Sequence, residues 1–95
     1  MNTYEAVVLV RANLDKEKQE KIDEDIQGVI TKNKGQIGHF DNWGKRKLAY
    51  TLSKQNEALY YFIEFDILPQ VVAKIESAYK LKDEILRVLI VRKES

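Results

Sequence analysis

The amino-acid sequence predicts an α+β fold in which four strands and two helices follow one another in the order β-α-β-β-α-β. Three observations support this prediction: two segments with apolar residues at helical spacing, four extended segments rich in β-branched and aromatic residues, and glycine or proline near segment boundaries. The chain has 95 residues, of which 44% are apolar, and this suffices for one hydrophobic core. We therefore expect a single domain over residues 1–95.

The first third of the chain predicts a strand followed by a helix. Residues 4–10, YEAVVLV, are too short and too rich in β-branched residues for an average helix, and they predict a buried strand. Asp15 is a suitable N-cap for the helix. Gly35 should end the helix in a left-handed conformation, and Gly28 inside it indicates close packing on a sheet. The apolar stripe of this helix consists of Ile22, Ile26, Val29 and Ile30.

The middle of the chain predicts a long antiparallel hairpin. Its strands are expected at residues 36–52 and 58–66, and the polar segment 53–57 has the length of a hairpin loop. Alternation separates the second strand into two faces, and both faces carry aromatic side chains. One face has Leu59, Tyr61, Ile63 and Phe65, and the other has Ala58, Tyr60, Phe62 and Glu64.

The last part of the chain predicts a second helix and a fourth strand. Pro69 suits a first helical turn, and residues 85–92, ILRVLIVR, read as a strand. The second helix has its apolar positions at Val72, Ile75, Ala78 and Tyr79. Two apolar helix stripes need a common surface, so the simplest arrangement is a ferredoxin-like βαββαβ sandwich, a four-stranded antiparallel sheet with both helices on one face.

Composition narrows the possible functions. The chain has no cysteine, and its only histidine is His39, so we expect no thiol chemistry and no metal site. The four glycines are dispersed, and no serine has the context of a nucleophile elbow, so we expect neither an enzyme nor a cofactor. Apolar runs such as residues 6–10 are all far shorter than the roughly 20 residues that cross a bilayer, which argues against a membrane protein.

Residues 43–54, WGKRKLAYTLSK, concentrate positive charge in a chain whose formal net charge is only +1. Three consecutive cations at positions 45–47 lie between Trp43 and Tyr50, and the segment contains no acidic residue. Cations beside aromatic rings are typical of RNA-binding surfaces. The same pattern is also typical of an edge strand whose lysines prevent aggregation, and the pattern alone leaves both interpretations open.

The core of this segment, Gly44-Lys45-Arg46-Lys47-Leu48-Ala49-Tyr50, resembles the pattern Gly-x-Arg-basic-Leu-Ala-Tyr of the bacterial small-subunit ribosomal protein six family. The resemblance extends over residues 1–93, because Tyr4-Glu5, Asn13-Leu14-Asp15, Gly35, the aromatic third strand and the basic last strand also fit. It implies a ferredoxin-like fold, a cytoplasmic place on the small ribosomal subunit, and no enzymatic activity. It further implies joint binding, with ribosomal protein eighteen of the small subunit, to the central domain of the small-subunit ribosomal RNA.

The resemblance also suggests which residues contact RNA. Arg46 and Lys47 occupy the basic pair of the family motif, and Lys45 stands at its variable position. Arg92 and Lys93 close the last strand where the family also keeps basic residues, and Arg87 begins that strand. So few cations on a nearly neutral chain predict RNA binding that is roughly micromolar or weaker at physiological salt, so a basic partner should supply further charge.

We expect the partner protein to cover the hairpin edge and the face of the sheet that has no helices. Aromatic and apolar side chains are the candidates, because exposed patches of such residues commonly mark protein interfaces. The alternative for each of them is packing within its own chain. The candidates are Tyr4, Tyr50, Tyr60, Phe62, Leu89 and Val91.

Two other functions are compatible with the same fold. A ferredoxin-like regulatory module that binds a metabolite between subunits would have glycine-lined turns rather than a basic hairpin, so we expect no small-molecule substrate. An autonomous RNA-recognition domain would have a basic residue and glycine before alternating aromatics in its third strand. Residues 57–62, EALYYF, do not match that signature.

Overall fold

The computed structural model describes residues 1–52 and 54–93 of the chain. Its elements are β1 (Asn2–Arg11), α1 (Lys16–Lys32), β2 (Gln36–Leu52), β3 (Gln55–Ile67), α2 (Val72–Lys80) and β4 (Ile85–Arg92), and a 3-10 turn at Pro69–Val71 leads into α2. The strands form one sheet in the order β2-β3-β1-β4, and all neighbours are antiparallel. The predicted ferredoxin-like α+β fold is confirmed.

Strand alternation gives the sheet a helix face and a face that we call the open face. Every second residue of β1 and β3 is buried under the two helices, and this cluster forms the core. On the helix face lie Tyr4, Ala6, Val8 and Val10 of β1 and Leu59, Tyr61, Ile63, Phe65 and Ile67 of β3. The helices cover them with Ile22, Ile26, Ile30, Ile75 and Tyr79. Each buried aliphatic or aromatic side chain contributes about 1.5 to 3 kcal/mol, so this layer supplies most of the stability.

The N-terminus of α1 forms as the sequence predicts. The Asp15 carboxylate accepts a hydrogen bond from the backbone amide of Lys18 at 2.9 Å. This bond satisfies one of the amide groups that a first helical turn leaves without a partner. Asp15 therefore sets the direction in which the chain enters α1 after β1.

The C-terminus of α1 differs from the prediction, because Lys34 rather than Gly35 has the left-handed backbone, with φ at 67°. The amides of Lys34 and Gly35 donate to the carbonyls of Thr31 at 3.1 Å and Ile30 at 2.9 Å, which closes the helix in a Schellman motif. Glycine is needed at position 35 for a different reason, which is that a side chain there would overlap with Ile30. A Cβ atom there would lie 2.6 Å from Cγ2 of Ile30 and 3.0 Å from its carbonyl oxygen.

The hairpin of β2 and β3 is longer than predicted. Segment 53–57 was expected to be a loop, but β3 already begins at Gln55, which pairs with Leu52, and Lys54 has φ at 65°. Ser53 of the expected loop lies outside the described residues. Register shifts at positions 38 and 43 mark bulges in β2. Since bulges bend and twist a strand, they curve this edge of the sheet.

Two tyrosines of the core carry hydroxyl groups into the space between the sheet and the helices. The Tyr79 hydroxyl donates to the carbonyl of Ile26 at 2.6 Å and so links α2 to α1. Burial raises the pKa of Tyr79, and burial together with the neighbouring Asp23 carboxylate raises the pKa of Tyr61. Both side chains therefore stay neutral in the fold, and the stability that they contribute decreases as the pH rises above the ordinary tyrosine pKa of about 10.

Substitution by alanine should change the free energy of unfolding in opposite directions at Gly28, inside α1, and at Gly35, just after it. Gly35→Ala should lower the free energy of unfolding by about 1 to 3 kcal/mol, since the new methyl group overlaps with Ile30. A methyl group at Gly28 would meet no neighbouring atom within 4 Å, so the expectation of close packing there was wrong. Gly28→Ala should raise the free energy of unfolding by roughly 0.5 to 1 kcal/mol. Urea denaturation measures both, and equal effects would contradict this account.

Candidate binding surfaces

The residues of the open face form five rows across the sheet, because residues paired between strands lie on the same face. The rows pass from an acidic end, through an apolar middle, to an end with arginines. From β2 towards β4 they read Gln36, Asp66, Thr3; then His39, Glu64, Glu5, Val91; then Asp41, Phe62, Val7, Leu89; then Gly44, Tyr60, Leu9, Arg87; and finally Arg46, Ala58, Arg11.

The middle of the open face is an apolar band, which we define as Val7, Trp43, Phe62, Leu89 and Val91. Trp43 lies flat on Phe62, with ring centroids 5.4 Å apart and an angle of 4° between the planes. Its indole Nε1–H donates to the Asp41 carboxylate at 3.1 Å, which fixes the ring in this position. Trp43, Leu89 and Val91 are 43%, 54% and 47% exposed, so large apolar groups remain in contact with water. A patch of this kind is typical of a surface that binds another molecule.

One side of the apolar band carries an acidic end, which we define as Glu5, Asp41, Glu64 and Asp66. Glu5 and Glu64 are directly paired between β1 and β3, an arrangement in which like charges repel. The Lys93 ammonium donates to Glu64 at 2.9 Å, and this contact raises the pKa of Lys93. The acidic end thus has four carboxylates and one bound ammonium, so the net charge of this part of the surface is negative.

The other side of the band carries an arginine end, which we define as Arg11, Arg46 and Arg87. The Arg46 guanidinium donates to the backbone carbonyl of Trp43, with both N–O distances at 3.4 Å. Arg87 donates to the Tyr50 hydroxyl at 3.0 Å, and Arg11 donates to the backbone carbonyl of Asp83 at 3.1 Å. A guanidinium has five N–H donors, so these contacts position the three side chains and leave donors for a ligand.

The end of the hairpin curves over the arginine end of the open face. Pairing between β2 and β3 is interrupted at residues 48–51, and within this stretch Tyr50 reaches Arg87 on the opposite edge strand. Residues 48–50 and Leu52 enclose a pocket of about 180 Å³ together with Leu9, Tyr60 and Arg87. Leu9 is only 8% exposed although it lies on the open face, since the curved hairpin covers it.

The six cations that the sequence selected for RNA contact do not form one continuous surface. Arg46 and Arg87 both lie at the arginine end, on the two edge strands of the sheet. Lys45 and Lys47 pair with Leu59 and Glu57 and therefore project from the other side of the hairpin.

The two cations at the end of β4 lie away from the hairpin. Arg92 pairs with Tyr4 and so belongs to the helix face, and Lys93 is bound to Glu64 at the acidic end. Arg11 joins the arginine end, and the sequence patterns did not single it out. Strand alternation could have identified Arg11, because residues i and i+2 of a strand share a face and Arg11 follows Leu9 by two positions.

The residues selected for partner binding are mostly on the open face. Tyr60, Phe62, Leu89 and Val91 lie there, and Tyr50 lies over the arginine end. The expectation that Tyr4 lies on this face was wrong. Tyr4 is 7% exposed and packs in the core against Phe65, with ring centroids 6.0 Å apart, because it has the same parity along β1 as Ala6 and Val8. Trp43 takes the place in the apolar band that Tyr4 was expected to hold.

Two further features are absent from the described part of the chain. Among residues 1–52 and 54–93, no group of three His, Cys, Asp or Glu side chains is placed to hold a metal ion. Within the same residues, no helix has the length and apolar character needed to cross a membrane.

Comparisons of the chain with family models, with curated proteins and with solved structures all indicate the same family. A family model described as Ribosomal protein S6 matches residues 3–92. The chain is 38% identical over 94 residues to "Small ribosomal subunit protein bS6" of Heliobacterium modesticaldum, with 99% of this chain and 98% of that protein covered. It is 36% identical over 92 residues to the protein of the same name from Caldanaerobacter subterraneus, with 97% of each covered. A crystal structure of 30S ribosomal protein S6 from Thermotoga maritima matches with a TM-score of 0.91 at 30% identity, covering 97% of this chain and 87% of that one.

The stacking of Trp43 on Phe62 can be tested by fluorescence, because the chain has one tryptophan. Phe62→Leu should increase quenching of Trp43 emission by acrylamide and lower stability by roughly 1 kcal/mol. Phe40 is the matched control, since it stacks on Tyr61 on the helix side of the same hairpin. Phe40→Leu should lower stability without changing the quenching, and a similar change in quenching for both variants would refute the placement of Trp43.

Proposed function

Because the chain belongs to the ribosomal protein S6 family and is a non-enzymatic protein of the small ribosomal subunit, we propose that it binds the central domain of small-subunit ribosomal RNA together with ribosomal protein eighteen of that subunit. The observation that supports this most is the separation of two surfaces. An exposed apolar band suits a protein partner, and a hairpin end with cations and aromatic rings suits RNA.

The end of the hairpin is the proposed RNA contact. Arg46 lies on the open side of the hairpin and Lys45 and Lys47 on the other, so an RNA backbone can meet cations along both sides of this projecting element. Guanidinium groups bind phosphate oxygens in pairs of hydrogen bonds, and lysines add charge without that directional demand. Arg87 and Arg11 extend the contact across the sheet on the open side.

A partner is needed because these cations are few. Each neutralised phosphate contributes about 0.7 to 0.9 to the slope of log affinity against log salt, so five contacts give only modest affinity at physiological salt. The acidic end of the open face further weakens binding of a polyanion to the chain alone. A basic protein bound on the open face would both add cations and cover carboxylates.

The apolar band is the proposed partner surface. Its three most exposed members, Trp43, Leu89 and Val91, would gain about 25 cal/mol for each Å² of apolar area removed from water. Aromatic side chains at the centre of a patch are frequent sources of binding energy in protein interfaces. Tyr60 lies in the row next to that of Phe62 and continues this surface towards the arginine end.

Metabolite binding, the other function considered on this fold, has less support from the geometry. The pocket of about 180 Å³ is lined by leucine, alanine, tyrosine and Arg87 rather than by glycine-containing turns. Its arginine is already engaged by the Tyr50 hydroxyl. The pocket lies between the underside of the curved hairpin and the sheet beneath it, and the packing of these two parts accounts for it.

The RNA contact can be tested by charge reversal at the hairpin. With ribosomal protein eighteen present at saturation, Arg46→Glu should weaken binding to a central-domain RNA fragment by roughly tenfold or more and reduce the salt slope by about one. Lys21→Glu makes the same change in charge on an exposed position of α1 and should alter the affinity less than about twofold. A filter-binding titration across a range of salt concentrations measures both quantities.

An unchanged affinity for Arg46→Glu would remove the hairpin end from the RNA contact. Equal losses for both variants would indicate that only the net charge of the chain matters. Thermal unfolding of each variant separates either result from a loss of folded protein.

A further inference from the structure

The charges at the two ends of the open face are opposite, and this determines how a partner can lie on it. We infer that the acidic end of the open face binds basic residues of the partner protein, while the arginine end lies where the partner and the RNA meet. This inference rests on the joint binding proposed above. The partner surface that fits is an apolar stripe with lysine or arginine at one end. Its apolar side chains cover the band, and its cations meet Glu5, Asp41 and Glu64.

The two ends are far enough apart to bind different molecules. Glu5 and Arg11 lie on the same face of β1, six residues apart, which corresponds to about 20 Å at 3.3 Å per residue. The Debye length at physiological ionic strength is about 8 Å. The carboxylates therefore do not cancel the field of the arginines, and each end attracts its own counterpart.

The acidic end is unfavourable as long as the face is uncovered. Glu5 stands directly opposite Glu64, and the Lys93 ammonium bonds to Glu64. In the part of the chain that the structure describes, Glu5 has no ion-pair partner within 4.0 Å, and the Lys93 ammonium, which also attracts Glu5, is bonded to Glu64. A cation from outside would relieve this repulsion, because opposite charges paired across a sheet stabilise it.

RNA is a poor occupant for this end, since carboxylates repel phosphates. The same carboxylates favour a basic protein, and they suppress wrong orientations, because a cationic stripe placed the other way round would meet Arg46 and Arg87. Asp41 adds to the preference. Its carboxylate is held by the Trp43 indole at 3.1 Å, so it lies at the edge of the apolar band and reaches the same partner segment.

The test uses purified ribosomal protein eighteen and the full chain, with affinity measured by isothermal titration calorimetry. Glu5→Lys should weaken partner binding about tenfold or more, and Glu5→Gln should weaken it less, because it removes a charge without reversing it. Glu20→Lys is the matched control, an exposed acid of α1 with the same change in charge, and should alter the affinity less than about twofold. Raising the salt concentration should reduce the difference between Glu5→Lys and wild type.

A second measurement shows that the effect belongs to the partner and not to RNA. When the partner saturates the chain, Glu5→Lys should bind the RNA fragment as wild type does, whereas Arg46→Glu should not. Glu5→Lys should fold, since the new lysine faces Glu64, which can pair with it and with Lys93 on this exposed face. A thermal unfolding temperature close to that of wild type verifies this.

The outcomes distinguish a failure of the inferred orientation from a failure of the proposed joint binding. Tight binding of wild type with equal affinities for Glu5→Lys and Glu20→Lys would overturn the inferred orientation and leave joint binding intact. No binding of the partner to wild type would overturn the proposed function and this inference with it. Loss of RNA affinity in saturated Glu5→Lys would place the acidic end in the RNA contact, which also contradicts the inference.

Discussion

The position of β1 between β3 and β4 is the constraint on which the rest of the structure depends. Ten residues of β1 pair with β3, and seven of them pair with β4 as well, so the register of this strand assigns a face to most residues of the sheet. A slip by one residue would exchange the two faces. It would expose Ala6 and Val8 and bury Glu5, which has no ion-pair partner within 4.0 Å among residues 1–52 and 54–93. Burial of the core and separation of the binding surfaces therefore come from the same register.

The division between the faces also explains how the open face can carry unfavourable features. The helix face contains the packed core, closed by the hydrogen bond from Tyr79 to Ile26. Because the helix face supplies most of the stability, the open face can expose Trp43 to water and can pair Glu5 with Glu64 without unfolding the chain. Exposed apolar groups and paired like charges are costs in the free chain, and a complementary partner can convert both into binding energy.

Much of the fold could be predicted from the sequence, because helical and strand periodicities are local signals. The face occupied by Tyr4 could not be predicted, since β1 is apolar at consecutive positions such as Leu9 and Val10, and its parity shows only once β3 is paired with it. The end of α1 was misjudged because lysine stands where glycine is the usual residue, and Gly35 is there to avoid Ile30.

The proposed binding surfaces were predictable in part. Adjacent cations on a strand must alternate, so the separation of Arg46 from Lys45 and Lys47 followed from the strand prediction itself. The contact between Lys93 and Glu64 joins residues 29 positions apart, and the contact between Arg87 and Tyr50 joins residues 37 apart. Contacts of this kind depend on how the strands are ordered and how the hairpin curves, and no local pattern reports them.

The central claim is that the partner protein covers the open face, and nuclear magnetic resonance tests it most directly. Unlabelled ribosomal protein eighteen is added to the isotopically labelled chain, and the Trp43 indole signal and the methyl signals of Val7, Leu89 and Val91 are followed. These signals should shift or broaden, while the methyl signals of Leu81, which is 84% exposed beyond α2, should stay in place. Shifts confined to Leu81 and the outer surfaces of α1 and α2, with Trp43 unchanged, would contradict the account.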